Sequence, residues 1–248
     1  KACDRLIVWA ASQVFADSAS QCRVLEHEGI VSPGGIAVLG PGSISGVDVH
    51  RFQPDAEARR LVRSQFAVPD RSVVCVFVGR LTRDKGVVDL VDALATVASQ
   101  GGDVELWLVG PDEEGLGAVL TQRAGQWAGR LRCLGPTLQP ERFMAAADIL
   151  VLPSYREGFG SVVIEAAACA VPTVAYRIDG IVDAVVPDET GILVELGNIP
   201  AFGAAMAKLV QHAALRHTLG HQALARVRRE FSSAAVTAEW VSFYQRTV

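Results

Sequence analysis

Two stretches of the sequence decide the fold: VVCVFVGRLTRDKG (residues 73–86) and ILVLPSYREGFGSVVIE (residues 149–165). Each one predicts a buried strand, a glycine-bearing loop and the first turn of a helix. Similar short apolar runs recur, so that strands are predicted at 73–78, 104–109, 131–134, 149–152, 172–175 and 191–194. Helices are predicted between them, at roughly 86–99, 114–128, 139–147, 160–170 and 180–186, with a long one from residue 199.

Continuous apolar strands that alternate with helices are typical of a parallel sheet covered on both faces. Six such strands are enough for a complete doubly wound domain. The sequence therefore predicts an α/β protein with a Rossmann-like doubly wound parallel sheet.

The composition indicates a folded protein of a reducing compartment. Half of the 248 residues are apolar, and a net charge of −4 gives no basic face for nucleic acid. The five cysteines are scattered without a C-x-x-C pair, and Cys75, Cys133 and Cys169 lie in or beside apolar runs, which predicts buried thiols and no zinc site. No apolar run reaches the roughly 18 residues of a membrane span. We therefore expect a cytoplasmic protein, or one held peripherally at the inner face of a membrane.

Three parts of the chain differ in pattern. Residues 1–46 predict a strand at Val14–Asp17, a helix at Ser18–Glu28 and a strand at Ile36–Leu39, which is too little to hold a core alone. We expect them to be the end of a second domain and the start of a linker. Residues 47–233 form the main domain. Residues 234–248 predict a helix whose aromatic stripe needs a partner surface.

The first loop carries two cations at the positions where a parallel sheet binds ligands. Arg80 follows the end of a predicted strand, and Lys85 directly precedes a helix. Together they could clamp a diphosphate, with the arginine as a fork and the lysine as a point charge. The alternative is a pair of solvated surface charges.

The second loop predicts a ligand site of the same kind. The turn Gly158-Phe159-Gly160 allows close backbone approach, and the following helix offers free N–H groups. Glu157 and Glu165 would lie about 12 Å apart on a helical rise. Glu165 could accept both hydroxyls of a ribose, and Glu157 would reach a sugar beyond the diphosphate. The alternative, a helix start with an acidic neighbour, does not explain the apolar surroundings of Glu165.

These motifs resemble the C-terminal domain of the family-4 glycosyltransferases with the GT-B fold. The resemblance extends over roughly residues 40–248 and is carried by VGRLTRDKG (78–86), PSYREGFGSVVIEAAACAVPTVA (153–175), DETGILV (188–194) and SISGVDVHRF (43–52). It implies that Arg80 and Lys85 contact the diphosphate of a nucleoside diphosphate sugar, that Glu165 binds its ribose and that Glu157 contacts its sugar. Backbone N–H groups of the 158–160 turn would lie beside that sugar.

Two positions depart from the family pattern. Ala170 stands where glycine is common in a helix-to-strand turn, which we interpret as a matter of packing. Asp183 stands where glutamate is frequent, which affects the expected contacts with the donor sugar.

The resemblance implies a retaining, hexosyltransferase-type enzyme of which this chain is mainly the donor-binding half, and in which the last helix folds back on the acceptor-side domain. No D-x-D motif occurs, so we expect no metal and no cofactor. The partners would be the nucleoside diphosphate sugar, a glycan, lipid or small-molecule acceptor and the missing N-terminal domain. We expect the 248 residues alone to bind nucleotide weakly and to catalyse nothing.

Two other functions fit the same motifs. A sugar-nucleotide epimerase would need more acid and base groups near the sugar than this sequence offers. A non-catalytic nucleotide-sugar-binding module would keep the binding residues without the chemistry.

Overall fold

In the computed structural model, which describes residues 2–247, six strands form one parallel sheet. The strands are β1 Val73–Val78, β2 Val104–Val109, β3 Leu131–Gly135, β4 Ile149–Leu152, β5 Thr173–Tyr176 and β6 Gly191–Val194. Their order is β3-β2-β1-β4-β5-β6, and every neighbouring pair is parallel. The predicted Rossmann-like fold is confirmed, and the strand bounds agree with the prediction to within one residue.

Helices cover both faces of this sheet. They are α1 Ala2–Ala10, α2 Ala19–His27, α3 Ala56–Gln65, α4 Val87–Ser99, α5 Gly117–Ala124, α6 Pro140–Ala146, α7 Ser161–Ala168, α8 Ile181–Ala184, α9 Ile199–Gln211, α10 Ala213–Arg226 and α11 Ser233–Thr247. All residues of β2 and β4 are buried. Because successive side chains of a strand point to opposite faces, both faces of the sheet are shielded from water.

Helix α3 has no counterpart among the predicted elements. It begins after Asp55, whose side chain accepts a hydrogen bond from the backbone of Ala58 at 2.8 Å. Its inner face includes Arg63, which is buried because it pairs with Asp148 at 3.2 Å and donates to the carbonyl of Ser72 at 2.5 Å. The prediction missed α3 although Ala58 and Val62, one turn apart on its inner face, form a short apolar stripe. Only the burial of Arg63 left no local signal, because Asp148 lies 85 residues away.

The first 46 residues differ from the prediction. Helix α2 is confirmed, and the Ser18 side chain caps it. The two predicted strands, Val14–Asp17 and Ile36–Leu39, are wrong: one parallel bridge joins Phe15 to Ala37, with backbone hydrogen bonds of 2.9 and 3.0 Å. No third strand lies beside this bridge within residues 2–247, and a pair without further neighbours is marginal.

Two of the three predicted buried thiols are confirmed. Cys75 and Cys169 are buried, and desolvation raises both pKa values, that of Cys169 to about 12. Cys133 is exposed, so that prediction is wrong. It lies on β3, the edge strand of the sheet, where only one side of the strand is paired.

Helix α11 packs against residues 2–46, which we call the N-terminal segment, through an aromatic cluster. The ring of Phe15 contacts Trp240 and Phe243, with centroids 5.2 and 4.9 Å apart. The Trp240 indole donates to the carbonyl of Ile44 at 3.0 Å. The stripe predicted to need a partner surface therefore meets one on the N-terminal segment, while the predicted domain boundaries stay predictions.

The departure at Ala170 concerns the backbone rather than packing. Its φ of 59° lies in the left-handed region, which costs a residue with a side chain about 1–2 kcal/mol. Ala170→Gly removes this strain but gives the unfolded chain about 0.4–1 kcal/mol of extra entropy. We expect a net increase of about 0.5–1 kcal/mol in the free energy of unfolding, measured by urea titration.

The matched control is Ala225→Gly, the same change at an exposed position inside α10. There glycine should lower the free energy of unfolding by about 1 kcal/mol. Destabilisation by both substitutions would contradict the assignment of strain to Ala170.

Candidate functional site

Two loops meet at the carboxyl edge of the sheet. We call residues 79–86 the first loop, which follows β1, and residues 153–160 the second loop, which follows β4. Strands β1 and β4 are neighbours, with Cys75 opposite Ile149, so the two loops start side by side. The chain order of the strands reverses between β1 and β4, and open α/β sheets bind ligands at such a point.

The backbones of the two loops are in direct contact. Gly86 has a φ of 69°, and a Cβ atom at this position would lie 2.0 Å from the carbonyl oxygen of Pro153. The Tyr155 amide donates to the carbonyl of Asp84 at 2.9 Å. Only glycine permits this approach, which places the side chains of one loop within reach of the other.

The contact brings Lys85 and Glu157 together. The ammonium group lies 2.8 Å from the Glu157 carboxylate, and the two side chains are only 17% and 14% exposed. Lys85 also donates to the carbonyl of Arg156 at 3.4 Å. A cation of the first loop and a carboxylate of the second thus form an ion pair that is largely shielded from water.

This ion pair borders a crevice of about 380 Å³. The crevice is lined by both loops, including the turn Gly158–Gly160, and by the first residues of α7. Gly160 precedes α7 in the left-handed conformation, and no side chain caps the helix. The Val163 amide donates to the Gly160 carbonyl at 2.8 Å, whereas the Ser161 and Val162 amides donate to no atom of the described residues. The helix dipole makes this end positive. An anionic group fits the crevice at Lys85 and α7.

Arg80 and Glu165 do not line the crevice. Arg80 is half exposed and pairs with Glu113, on the loop after β2, at 3.1 Å. Glu165 lies in the second turn of α7, where burial raises its pKa to about 7, with a smaller lowering effect of Arg51. Of the four charged residues predicted to act together, the structure joins Lys85 and Glu157 and leaves the other two apart.

The N-terminal segment forms a second wall of the site. A neighbouring cavity of about 500 Å³ is lined by Gln21 as well as by Glu157 and Arg177. The Ser20 hydroxyl accepts from the Gly180 amide at 2.6 Å and donates to the Asp183 carboxylate. The departure at Asp183 therefore has a structural role, because this carboxylate fastens α2 to α8.

Asp17 is a residue of the site that the sequence analysis missed. Its carboxylate lines the crevice, opposite the turn of the second loop. The available signal was its place at the end of a predicted strand, the same criterion that singled out Arg80. It was overlooked because residues 1–46 were interpreted as part of another domain.

Comparison with known proteins identifies the family of this chain. A family model described as "Glycosyl transferases group 1" matches residues 72–212, more than half of the chain. The chain belongs to the group 1 glycosyltransferases. The matched region runs from the residue before β1 to the residue after α9 and includes both loops.

Similar group 1 glycosyltransferases are longer than this chain. The capsular polysaccharide biosynthesis glycosyltransferase CapM of Staphylococcus aureus is 30% identical, and the match covers 97% of this chain and 63% of CapM. The D-inositol 3-phosphate glycosyltransferase of Corynebacterium glutamicum is also 30% identical, over 99% of this chain and 60% of its own length. The chain therefore spans about three fifths of these relatives.

Solved structures show the same architecture. Sucrose-phosphate synthase from Thermosynechococcus elongatus superposes with a TM-score of 0.85 at 27% identity, over 98% of this chain and 60% of the synthase. Anabaena Alr3699/HepE in complex with UDP and glucose gives 0.84 at 23% identity, over 95% of this chain and 63% of its own, which supports the fold. Within residues 2–247, no helix has the length and apolarity to cross a membrane.

The raised pKa of Glu165 predicts a pH-dependent cost. Between the unfolded pKa of 4.5 and the folded pKa of about 7, the folded chain holds a proton that the unfolded chain has lost, so stability falls as pH rises. Glu165→Gln removes this cost. The free energy of unfolding of the variant, relative to that of wild type, should increase by about 2–3 kcal/mol from pH 4 to pH 8. Urea titration at both pH values measures this difference.

Glu57→Gln is the control with the opposite sign. The hydrogen bond from Arg60 lowers the pKa of the exposed Glu57 carboxyl, so this variant should lose stability relative to wild type as pH rises. A pH-independent difference for Glu165→Gln would show that burial does not penalise its charge.

Proposed function

We propose that the chain is the donor-binding part of a retaining glycosyltransferase of the GT-B type, and that a nucleoside diphosphate sugar binds in the crevice. The single observation that carries this proposal is the Lys85–Glu157 pair beside the uncapped start of α7. Such a site offers positive groups to phosphates and a carboxylate to sugar hydroxyls within a few ångströms of each other.

The proposed roles follow from the charges. The diphosphate lies against Lys85 and the first amides of α7, and Glu157, oriented by Lys85, accepts hydrogen bonds from the donor sugar. Arg80 joins the diphosphate by exchanging Glu113 for a phosphate. This exchange is cheap because an exposed ion pair contributes only about 0–1 kcal/mol. Glu165 lies outside the crevice on α7, so in this proposal the nucleoside extends beyond the crevice and its ribose donates hydroxyl hydrogen bonds to Glu165.

The proposed chemistry is electrostatic. As the bond between sugar and diphosphate breaks, negative charge grows on the leaving phosphate, and preorganised cations and dipoles stabilise it. Lys85 and the α7 amides are already in place for this task. The acceptor hydroxyl attacks the sugar on the face that the diphosphate leaves and gives its proton to the departing phosphate oxygen, so the configuration is retained. Glu157 positions the donor and forms no covalent bond, since its carboxylate is engaged by Lys85.

The relatives contain a part that this chain does not span. We further propose that the corresponding part of this enzyme forms most of its acceptor-side domain. The acceptor, a glycan, a lipid or a small molecule, enters from the side of the second cavity, between α2 and the second loop. The proposed enzyme acts in the cytoplasm, as a hexosyltransferase-type transferase, without a metal or a cofactor.

Nucleotide binding tests the proposal on the chain itself. Isothermal titration calorimetry with UDP, GDP and ADP should give one preferred nucleotide. Lys85→Ala should weaken its binding roughly 10- to 100-fold, because a hydrogen bond to a charged group contributes about 1.5–3 kcal/mol. Lys208→Ala is the matched control, an exposed lysine on α9 away from the crevice, and should leave the affinity unchanged.

Binding of none of the three nucleotides by a folded wild-type chain would reject the proposed function. Equal affinities of wild type and Lys85→Ala would reject the role of the ion pair.

Turnover tests the leaving-group role separately. In a form of the enzyme that transfers sugar, Lys85→Ala should lower kcat by about 10²–10³-fold, as removal of one preorganised donor does elsewhere. Thermal unfolding of the variant checks that the fold is intact. Near-normal turnover by the folded variant would show that Lys85 does not neutralise the departing diphosphate.

A further inference from the structure

The carboxylate of Asp17 faces the crevice without a partner. Within the described residues, no hydrogen bond and no ion pair involves this side chain, although Lys85 lines the same crevice and is paired with Glu157. Partial burial raises the pKa of Asp17, because water is withdrawn from the charge and no cation compensates for it. A half-buried carboxylate without a partner is costly, which favours a binding role.

The backbone around Asp17 holds the carboxylate in place. The Asp17 carbonyl accepts from the Ser43 amide at 2.7 Å, and the next residue, Ser18, is the N-cap of α2. A fixed backbone on both sides limits the positions that this short side chain can reach.

The second loop approaches this carboxylate closely. A Cβ atom on Gly158 would lie 3.3 Å from the Asp17 Oδ2 atom and 3.4 Å from the Gln21 Nε2 atom. Glycine at position 158 therefore lets the turn after Glu157 lie next to Asp17 without a side chain between them. The room for a ligand is the crevice of about 380 Å³, which Asp17 lines together with this turn.

We propose that Asp17 is a binding residue for the donor sugar and accepts hydrogen bonds from its hydroxyl groups. The proposal rests on the function proposed above. The two walls of the crevice differ in charge. Lys85 and the start of α7 attract phosphates, whereas the carboxylate of Asp17 repels them. A ligand that is anionic at one end and hydroxylated at the other binds in one orientation only, with the hydroxyls at Asp17.

The N-terminal segment therefore contributes to recognition of the donor as well as to the wall of the cleft. An ionised carboxylate only accepts hydrogen bonds, so it selects sugars with a free hydroxyl at the contacted position. A nucleoside diphosphate without a sugar gains nothing from Asp17.

The test compares two ligands on Asp17→Asn. The probes are the nucleoside diphosphate that wild type prefers among UDP, GDP and ADP, and whichever of its glucose, N-acetylglucosamine and mannose conjugates wild type binds best. Calorimetry should show roughly 10-fold or greater weakening for the sugar conjugate, as expected for loss of a charged acceptor. The affinity for the nucleoside diphosphate should stay within about threefold of wild type or increase, because a like charge is removed. Asp70→Asn, an exposed position at the opposite edge of the sheet, should change neither value.

Three outcomes would overturn the proposal. Equal weakening of both ligands would show a structural role for Asp17, and no change in either would show that it contacts no sugar. Weakening of the nucleoside diphosphate alone would place phosphate at Asp17. If wild type binds no nucleoside diphosphate, the proposed function itself fails, and this result is separate from the other three.

Discussion

The two ligand-facing loops touch at the Cα atom of Gly86 and the carbonyl group of Pro153, and the site depends on this contact. A side chain at position 86 would separate the loops and with them Lys85 from Glu157. The contact itself follows from topology, because β1 and β4 are adjacent while the helices after them leave in different directions. At the point where the strand order reverses, a single glycine thus lets the two loops approach closely enough to form a charged crevice.

The charges of the crevice are arranged before any ligand arrives. Lys85 and Glu157 hold each other, so neither side chain has to be ordered when a substrate binds, and the entropy of two long side chains is spent during folding. Arg80 and Glu165 contrast with them. Arg80 is held at the surface by Glu113, and Glu165 sits where burial disfavours its charge. Lys85 and Glu157 are therefore preorganised, whereas the position of Arg80 and the charge of Glu165 depend on their surroundings.

The sequence predicted those features that depend on local pattern. Apolar runs located the six strands, and Lys85 and Glu157 were singled out because they follow two of these strands, where a parallel sheet binds ligands. Features that depend on partners distant in sequence were not accessible. Arg63 is buried by contacts more than 80 residues away, Arg80 turns toward Glu113, and the strain at Ala170 is visible only as a backbone angle. Asp17 was missed for a different reason: it ends a predicted strand, but residues 1–46 were assigned to another domain, and the loop that it faces follows about 140 residues later.

The aromatic cluster between Phe15 and α11 has a consequence for the order of folding. It joins residue 15 to residues 240 and 243, nearly the two ends of the chain. Closing so long a loop costs more entropy than closing the short loops of the strand–helix units that lie between these residues. We therefore expect the sheet to assemble first and the N-terminal segment to dock last, with α11 as its landing surface. The wall that carries Asp17 would then be the final part of the cleft to form, and the first to detach.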